Sequence, residues 1–165
     1  MSERWVLNAS PVIALARIGQ ERLLLDLPEE AVMPQAVAAE IKAGPPSDPA
    51  RQALLSDRFR IVEAPSLPEV QAWDLGKGET SVLSLALSEP GWTAILDDRA
   101  ARKCAKSLAV PIKGTLAVVI LAKQRGLIPS AAEVLHALQA AGLRLDAQVI
   151  HVALERGAGE AWEEA

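Results

Sequence analysis

The stretch from Gly76 to Ala105, GKGETSVLSLALSEPGWTAILDDRAARKCA, restricts the fold more than any other. It reads as a helix, a tight turn, a short buried strand ending in two aspartates, and a second helix. From Glu79, apolar residues recur at Val82, Leu83, Ala86 and Leu87, so this carboxylate occupies the first turn of a core-facing stripe. Pro90 and Gly91 break the pattern. Trp92 to Leu96 is an apolar run too short for a helix, bounded by turn residues and acids. Asp97 and Asp98 therefore leave the carboxyl end of a buried strand, which is where open α/β sheets gather their ligand sites. Asp98 also begins the next helix as N-cap or first-turn acid, and Ala101, Cys104, Ala105 and Leu108 follow on one face.

Taken singly, Glu79 is a first-turn acid favoured by the helix dipole and Asp98 a plain N-cap. Together they are harder to explain structurally, because two adjacent acids at a strand end and an inward-facing glutamate one helix earlier repel one another unless a cation sits among them. Hard oxygen ligands of this kind suit Mg²⁺ or Mn²⁺.

The chain of 165 residues is half apolar and is most economically one domain spanning residues 1–165. Its start leads directly into strand and helix patterns, without a signal-like apolar segment. Leu116 to Ala122, the longest purely apolar run, has about one-third of the length needed to cross a bilayer, so it reads as a core helix and no membrane span is expected. One cysteine, Cys104, excludes a disulfide scaffold and a thiolate metal site, and fits a reducing, cytoplasmic setting. The net charge of −4 argues weakly against a nucleic-acid partner, but its distribution argues for one. Between Arg99 and Ala132 there is no acid, whereas Arg99, Arg102, Lys103, Lys106, Lys113, Lys123 and Arg125 are basic. A solvated helix face explains such a run equally simply. With four Trp, one Phe and no Tyr, stacking on bases is disfavoured, so nucleic-acid contacts should go to phosphate and shape.

Trp5 to Leu7 reads as a first strand ending at Asn8, with Ser10-Pro11 as N-cap and first residue of a helix. Asn8 is either a turn residue bonding its own backbone or a polar group at a strand's carboxyl end. Ala31 to Met33 is a strand, and Pro34 opens a helix in which Glu40 lies beside the Val37 and Ile41 face, half inward. Gly44 to Ser47 closes that helix, Pro49 starts another, and Phe59 to Val62 is a strand. Val110 to Ile112 is a further strand, and Gly114 and Thr115 open the next helix with backbone N–H groups and a hydroxyl available to a phosphate. Ser130 caps a helix carrying Val134, Leu135 and Leu138. His136 and His151 read as surface residues, and the acidic tail from about residue 157 as frayed. Alternating strands and helices through the first 125 residues predict an α/β fold, a three-layer α/β/α sandwich with a central parallel sheet. No dinucleotide loop, Walker loop or nucleophile elbow is present.

Four phrases in order, VLNASPVIALA, PQAVAAEI, GKGETSVLSLAL and AILDDRAARKCA, followed by K-G-T-L, resemble the PIN-domain family from about Trp5 to Glu155. The closest likeness is to a prokaryotic branch long catalogued only as a domain of unknown function. The resemblance implies a PIN-like nuclease of the kind found as the toxin of toxin–antitoxin pairs, with RNA as substrate and a protein antitoxin as partner. It implies Asn8, Glu40, Glu79, Asp97 and Asp98 as the catalytic set. Glu79 and Asp98 would be the main Mg²⁺ or Mn²⁺ ligands, and Glu40 and Asp97 direct or water-mediated ones. Asn8 stands where most active members carry aspartate, and its amide oxygen ligates without adding charge. Arg99, Arg102, Gly114 and Thr115 are the candidate substrate-binding residues. A homodimer is expected on general grounds.

Three functions stay open at this stage. The first is a metal-dependent endoribonuclease. The second is a PIN-like RNA- or partner-binding module with attenuated catalysis through Asn8. The third is a receiver-like phosphotransfer domain using Asp97 or Asp98, disfavoured because no acid pair follows the first strand.

Overall fold

The computed structural model describes residues 3–163. Five strands, β1 (Arg4–Leu7), β2 (Glu30–Pro34), β3 (Arg60–Val62), β4 (Trp92–Ile95) and β5 (Ile112–Lys113), form one parallel sheet in the order β3-β2-β1-β4-β5. Between and after them run α1 (Ala9–Arg17), α2 (Leu23–Asp26), α3 (Gln35–Lys42), α4 (Pro49–Leu55), α5 (Pro68–Gln71), α6 (Lys77–Ser88), α7 (Arg99–Ser107), α8 (Thr115–Gln124), α9 (Ala131–Ala140) and α10 (Ala147–Ala153). A π-helical turn, Leu154–Ala158, closes the chain's regular structure. This is the three-layer α/β/α arrangement the alternation predicts.

Parallel strands covered on both faces must be apolar throughout. Accordingly Trp5, Val6 and Leu7 of β1 and Ala94 and Ile95 of β4 are fully buried. Each buried aliphatic side chain contributes about 1.5–3 kcal/mol, so these two central strands anchor the core. Their register pairs Arg4 with Trp92 and Leu7 with Ile95, which brings Asn8 and Asp97 out of the sheet at the same end. Strand order reverses between β1 and β4, and the crevice at such a reversal is where α/β folds hold ligands.

Several local expectations shift. Asn8, not Ser10, is the N-cap of α1, because the β1 ladder continues through the Asn8 N–H to the Ile95 carbonyl (3.0 Å) and the chain turns helical at once. Pro11 falls inside the first turn, where a missing N–H loses no helical bond. Pro34 is the last residue of β2 and the N-cap of α3, its φ −61° and ψ 148° being extended. The tail is docked rather than loose. Glu160 accepts from the Ser130 hydroxyl (2.9 Å) and the Ala131 and Ala132 N–H groups (2.9 and 3.0 Å), filling the unsatisfied donors at the start of α9. Trp162 stacks on His136 with ring centres 4.0 Å apart.

Candidate functional site

Asn8 is 2 % exposed, and its side chain makes no capping bond to α1. Its Oδ1 is buried without a hydrogen-bond partner among the described residues. An unsatisfied buried oxygen carries a desolvation cost, and a ligand is one way to relieve it. The space around it is set by Gly78: a Cβ there would stand 3.3 Å from Asn8 Oδ1, 3.6 Å from a Val37 methyl and 3.7 Å from Glu40 Oε1. A glycine inside a helix is unfavourable by roughly 0.5–1 kcal/mol relative to alanine, but here it lets α6 approach the end of β1 and the side of α3. Asn8, Glu40 and the first turn of α6 thereby meet at one edge of the sheet.

Glu40 sits at the solvent rim of this meeting point rather than half inside, although Val37, Ala38 and Ile41 of the same helix are buried. Partial burial of its carboxyl, and next the negative charge of Glu79, push its pKa above the usual glutamate value. The sequence separates these acids by 39 positions, and packing of α3 against α6 brings them within electrostatic reach.

Asp97 and Asp98 leave β4 as expected, but each already has structural work. Asp97 Oδ1 accepts the Thr115 N–H (2.8 Å) and its Oδ2 the Thr115 hydroxyl (2.6 Å), tying the end of β4 to the start of α8. Asp98 Oδ2 caps α7 by accepting from Ala101 N–H (2.9 Å). The donors of Thr115 that sequence offered to a phosphate are thus engaged by Asp97. Gly114 makes space for the Arg102 and Asp97 side chains: a Cβ there would lie 2.6 Å from Arg102 Nη1 and 2.9 Å from Asp97 Oδ1. Arg102 therefore reaches over Gly114 toward the Asp97 carboxylate.

Beside Asp97 opens a cavity of about 1290 Å³ whose lining includes Arg99, Arg102, Lys103 and Lys106. Of the candidate acids only Asp97 lines it; Asn8, Glu40, Glu79 and Asp98 do not. The basic run divides by role. Lys113 pairs with Glu3 (3.0 Å), Lys123 donates to the Pro129 carbonyl (2.7 Å) and Arg125 to the Leu27 carbonyl (2.8 Å), all structural contacts. Arg99, Arg102, Lys103 and Lys106 make no side-chain hydrogen bond or ion pair among the described residues.

A family profile described as a PIN domain matches residues 4–159, nearly the whole chain. The chain belongs to the PIN-domain family. PIN domains are in general nucleases that use divalent metal ions. No curated protein matches this chain. No helix among the described residues is long and apolar enough to cross a membrane.

The residues of this PIN domain fit a hard cation in donor type: an orphaned amide oxygen at Asn8, two mutually repelling carboxylates at Glu40 and Glu79, and the aspartates after β4. They are not drawn into one tight cluster, since no three His, Cys, Asp or Glu side chains are grouped for metal binding among the described residues. Glu40 lies near Asn8 across Gly78, the Glu79 carboxylate turns back over Gly76 while its charge still reaches Glu40, and Asp97 and Asp98 are held by Thr115 and α7. Sequence reasoning overlooked Gly78, although a glycine beside Glu79 in a helical pattern was a usable signal. It also overlooked Arg144 and Arg156 as cavity residues. These lie far along the chain in segments without a motif.

Proposed function

We propose that this PIN domain is a Mg²⁺- or Mn²⁺-dependent endoribonuclease, the toxin of a toxin–antitoxin pair that acts in the cytoplasm, works as a homodimer and is neutralised by a protein antitoxin. The observation that carries the metal site is the buried, partnerless Asn8 oxygen beside Glu40, whose ionisation Glu79 opposes. Asn8, Glu40, Glu79 and Asp98 would hold the cation, with Asp97 completing the set through its Thr115-bound carboxylate. When bound, a divalent cation supplies water activation and neutralises charge on the scissile phosphate. Asn8 orients without adding charge, and a bound cation would relieve the repulsion between the Glu40 and Glu79 carboxylates. Arg102 and Arg99, which line the cavity beside Asp97, would bind a phosphate of the substrate, the bare Gly114 giving Arg102 its space.

A second reading, an RNA- or partner-binding module with attenuated catalysis, is favoured by the neutral Asn8 and by the structural bonds that occupy Asp97 and Asp98. One experiment separates the two: total RNA is incubated with Mn²⁺ and the wild type, Asn8→Asp, Glu79→Gln or Asp98→Asn. A nuclease gives metal-dependent cutting that Glu79→Gln and Asp98→Asn abolish. Binding without cutting in the wild type, with turnover gained in Asn8→Asp, identifies the attenuated module. Cutting that survives both acid substitutions overturns the site assignment.

A further inference from the structure

We propose that the cavity beside β5 docks an extended segment of a protein partner rich in acidic and aliphatic residues, which adds a strand to the free edge of the sheet. This rests on the cavity and the strand edge, not on the nuclease reading. β5 ends the sheet, and its inner side is used up: the Pro111 and Lys113 carbonyls accept from Ala94 and Leu96 N–H groups at 2.9 and 3.1 Å. In a parallel ladder the bonding direction alternates along the strand, so the N–H and C=O of Ile112 point away from β4. Ile112 lines the cavity. An unpaired edge next to open volume is a template for strand addition.

The surroundings specify the added strand. At about 1290 Å³ the cavity exceeds the roughly 300–1,000 Å³ usual for small-molecule sites. Its lining includes the aliphatic Leu116, Ile120, Val149 and Val152, the last two 54 % and 36 % exposed. Lys103, Lys106, Arg144 and Arg156 also line it, in a chain whose net charge is −4. The acids lining it, Asp97 and Asp146, are engaged, Asp146 accepting the Gln148 and Val149 N–H groups that start α10. A lining that mixes cations with aliphatic side chains matches a strand that alternates apolar and acidic side chains. An RNA phosphate suits the Arg99 and Arg102 end of the cavity, whereas the aliphatic stretch through Ile120, Val149 and Val152 has no aromatic side chain to stack a base and suits apolar side chains instead.

The test selects binders of the full chain from a random dodecapeptide display library, then titrates the recovered peptides by fluorescence anisotropy. Expected are peptides alternating aliphatic residues with Asp or Glu. Their binding should weaken about tenfold or more in Val152→Glu and in Lys103→Glu/Lys106→Glu, and they should protect the Ile112 amide from hydrogen exchange. Val149→Glu stands in if Val152→Glu melts early. Failure to enrich any peptide, binding indifferent to these variants, or binding without Ile112 protection overturns the proposal. So does an oligo(U) RNA that displaces the peptides and is itself lost in Val152→Glu, which would mark the cavity as an RNA groove.

Discussion

Asp97 grips Thr115 through both carboxylate oxygens, 2.8 Å to the backbone N–H and 2.6 Å to the hydroxyl. Thr115 is fully buried, so this pair joins β4 to α8 beneath the surface and places an acid at a helix N-terminus, where the dipole favours it. Thr115→Val keeps the shape and removes the hydroxyl, leaving Asp97 Oδ2 short of a partner. Urea denaturation should show a loss of about 1–3 kcal/mol. An unchanged midpoint would mean that water replaces the hydroxyl without penalty.

Glu40 and Glu79 set a pH dependence with a definite sign. Burial, and secondly the Glu79 charge, raise the Glu40 pKa above its ordinary 4.5 in the folded chain. The folded state therefore keeps this proton to higher pH than the unfolded state, and stability falls as pH rises from about that ordinary value through the raised one. Glu79→Gln should remove the electrostatic part and stabilise the metal-free protein near pH 7 by a few tenths of a kcal/mol, as befits a pair near solvent. Below the ordinary glutamate range wild type and variant should converge. Thermal melts at both pH values check this, and Mn²⁺ should raise the wild-type melting temperature more than that of Glu79→Gln.

Asn8→Asp places a charge where an amide oxygen is already buried without a partner, and beside Glu40. The metal-free variant should lose on the order of 1–3 kcal/mol. With Mn²⁺ the order should reverse in responsiveness: at about 100 times its dissociation constant a cation adds about 2.7 kcal/mol, and the added charge lowers that constant. Melting temperatures across a Mn²⁺ series measure both effects. A variant that gains no more from Mn²⁺ than the wild type would show that Asn8 is not a ligand.

Glu160 predicts the opposite slope. Burial alone would raise its pKa, but the Ala132 and Ala131 N–H groups, the Ser130 hydroxyl and the Lys123 charge together hold it below the usual value of 4.5. Its contribution is present above the unfolded pKa and is lost as pH falls through the lower folded one. Glu160→Gln should cost about 1 kcal/mol at neutral pH and little at low pH. It should also make the Trp162 fluorescence, tied to His136, more mobile.

Hydrophobic periodicity alone determined the alternation of strands and helices, the burial of Trp5 to Leu7 and Trp92 to Leu96, and the exit of Asn8, Asp97 and Asp98 from strand ends. These are local properties: a period of about two or 3.6 residues records which face meets the core, whatever lies opposite. The tertiary structure decided what the polar groups do there. Asp97 meets Thr115 across 18 positions, Glu160 reaches α9 across about 30, and Glu40 senses Glu79 only because Gly78 lets α6 close on α3. A hydrogen bond or a Coulombic contact requires two groups to coincide within a few ångströms, and sequence spacing along one element does not encode where another element will lie. For the same reason the acids were legible one by one, whereas their division between the Asn8 edge and the Thr115 tie, and the cavity left beside β5, arose from packing.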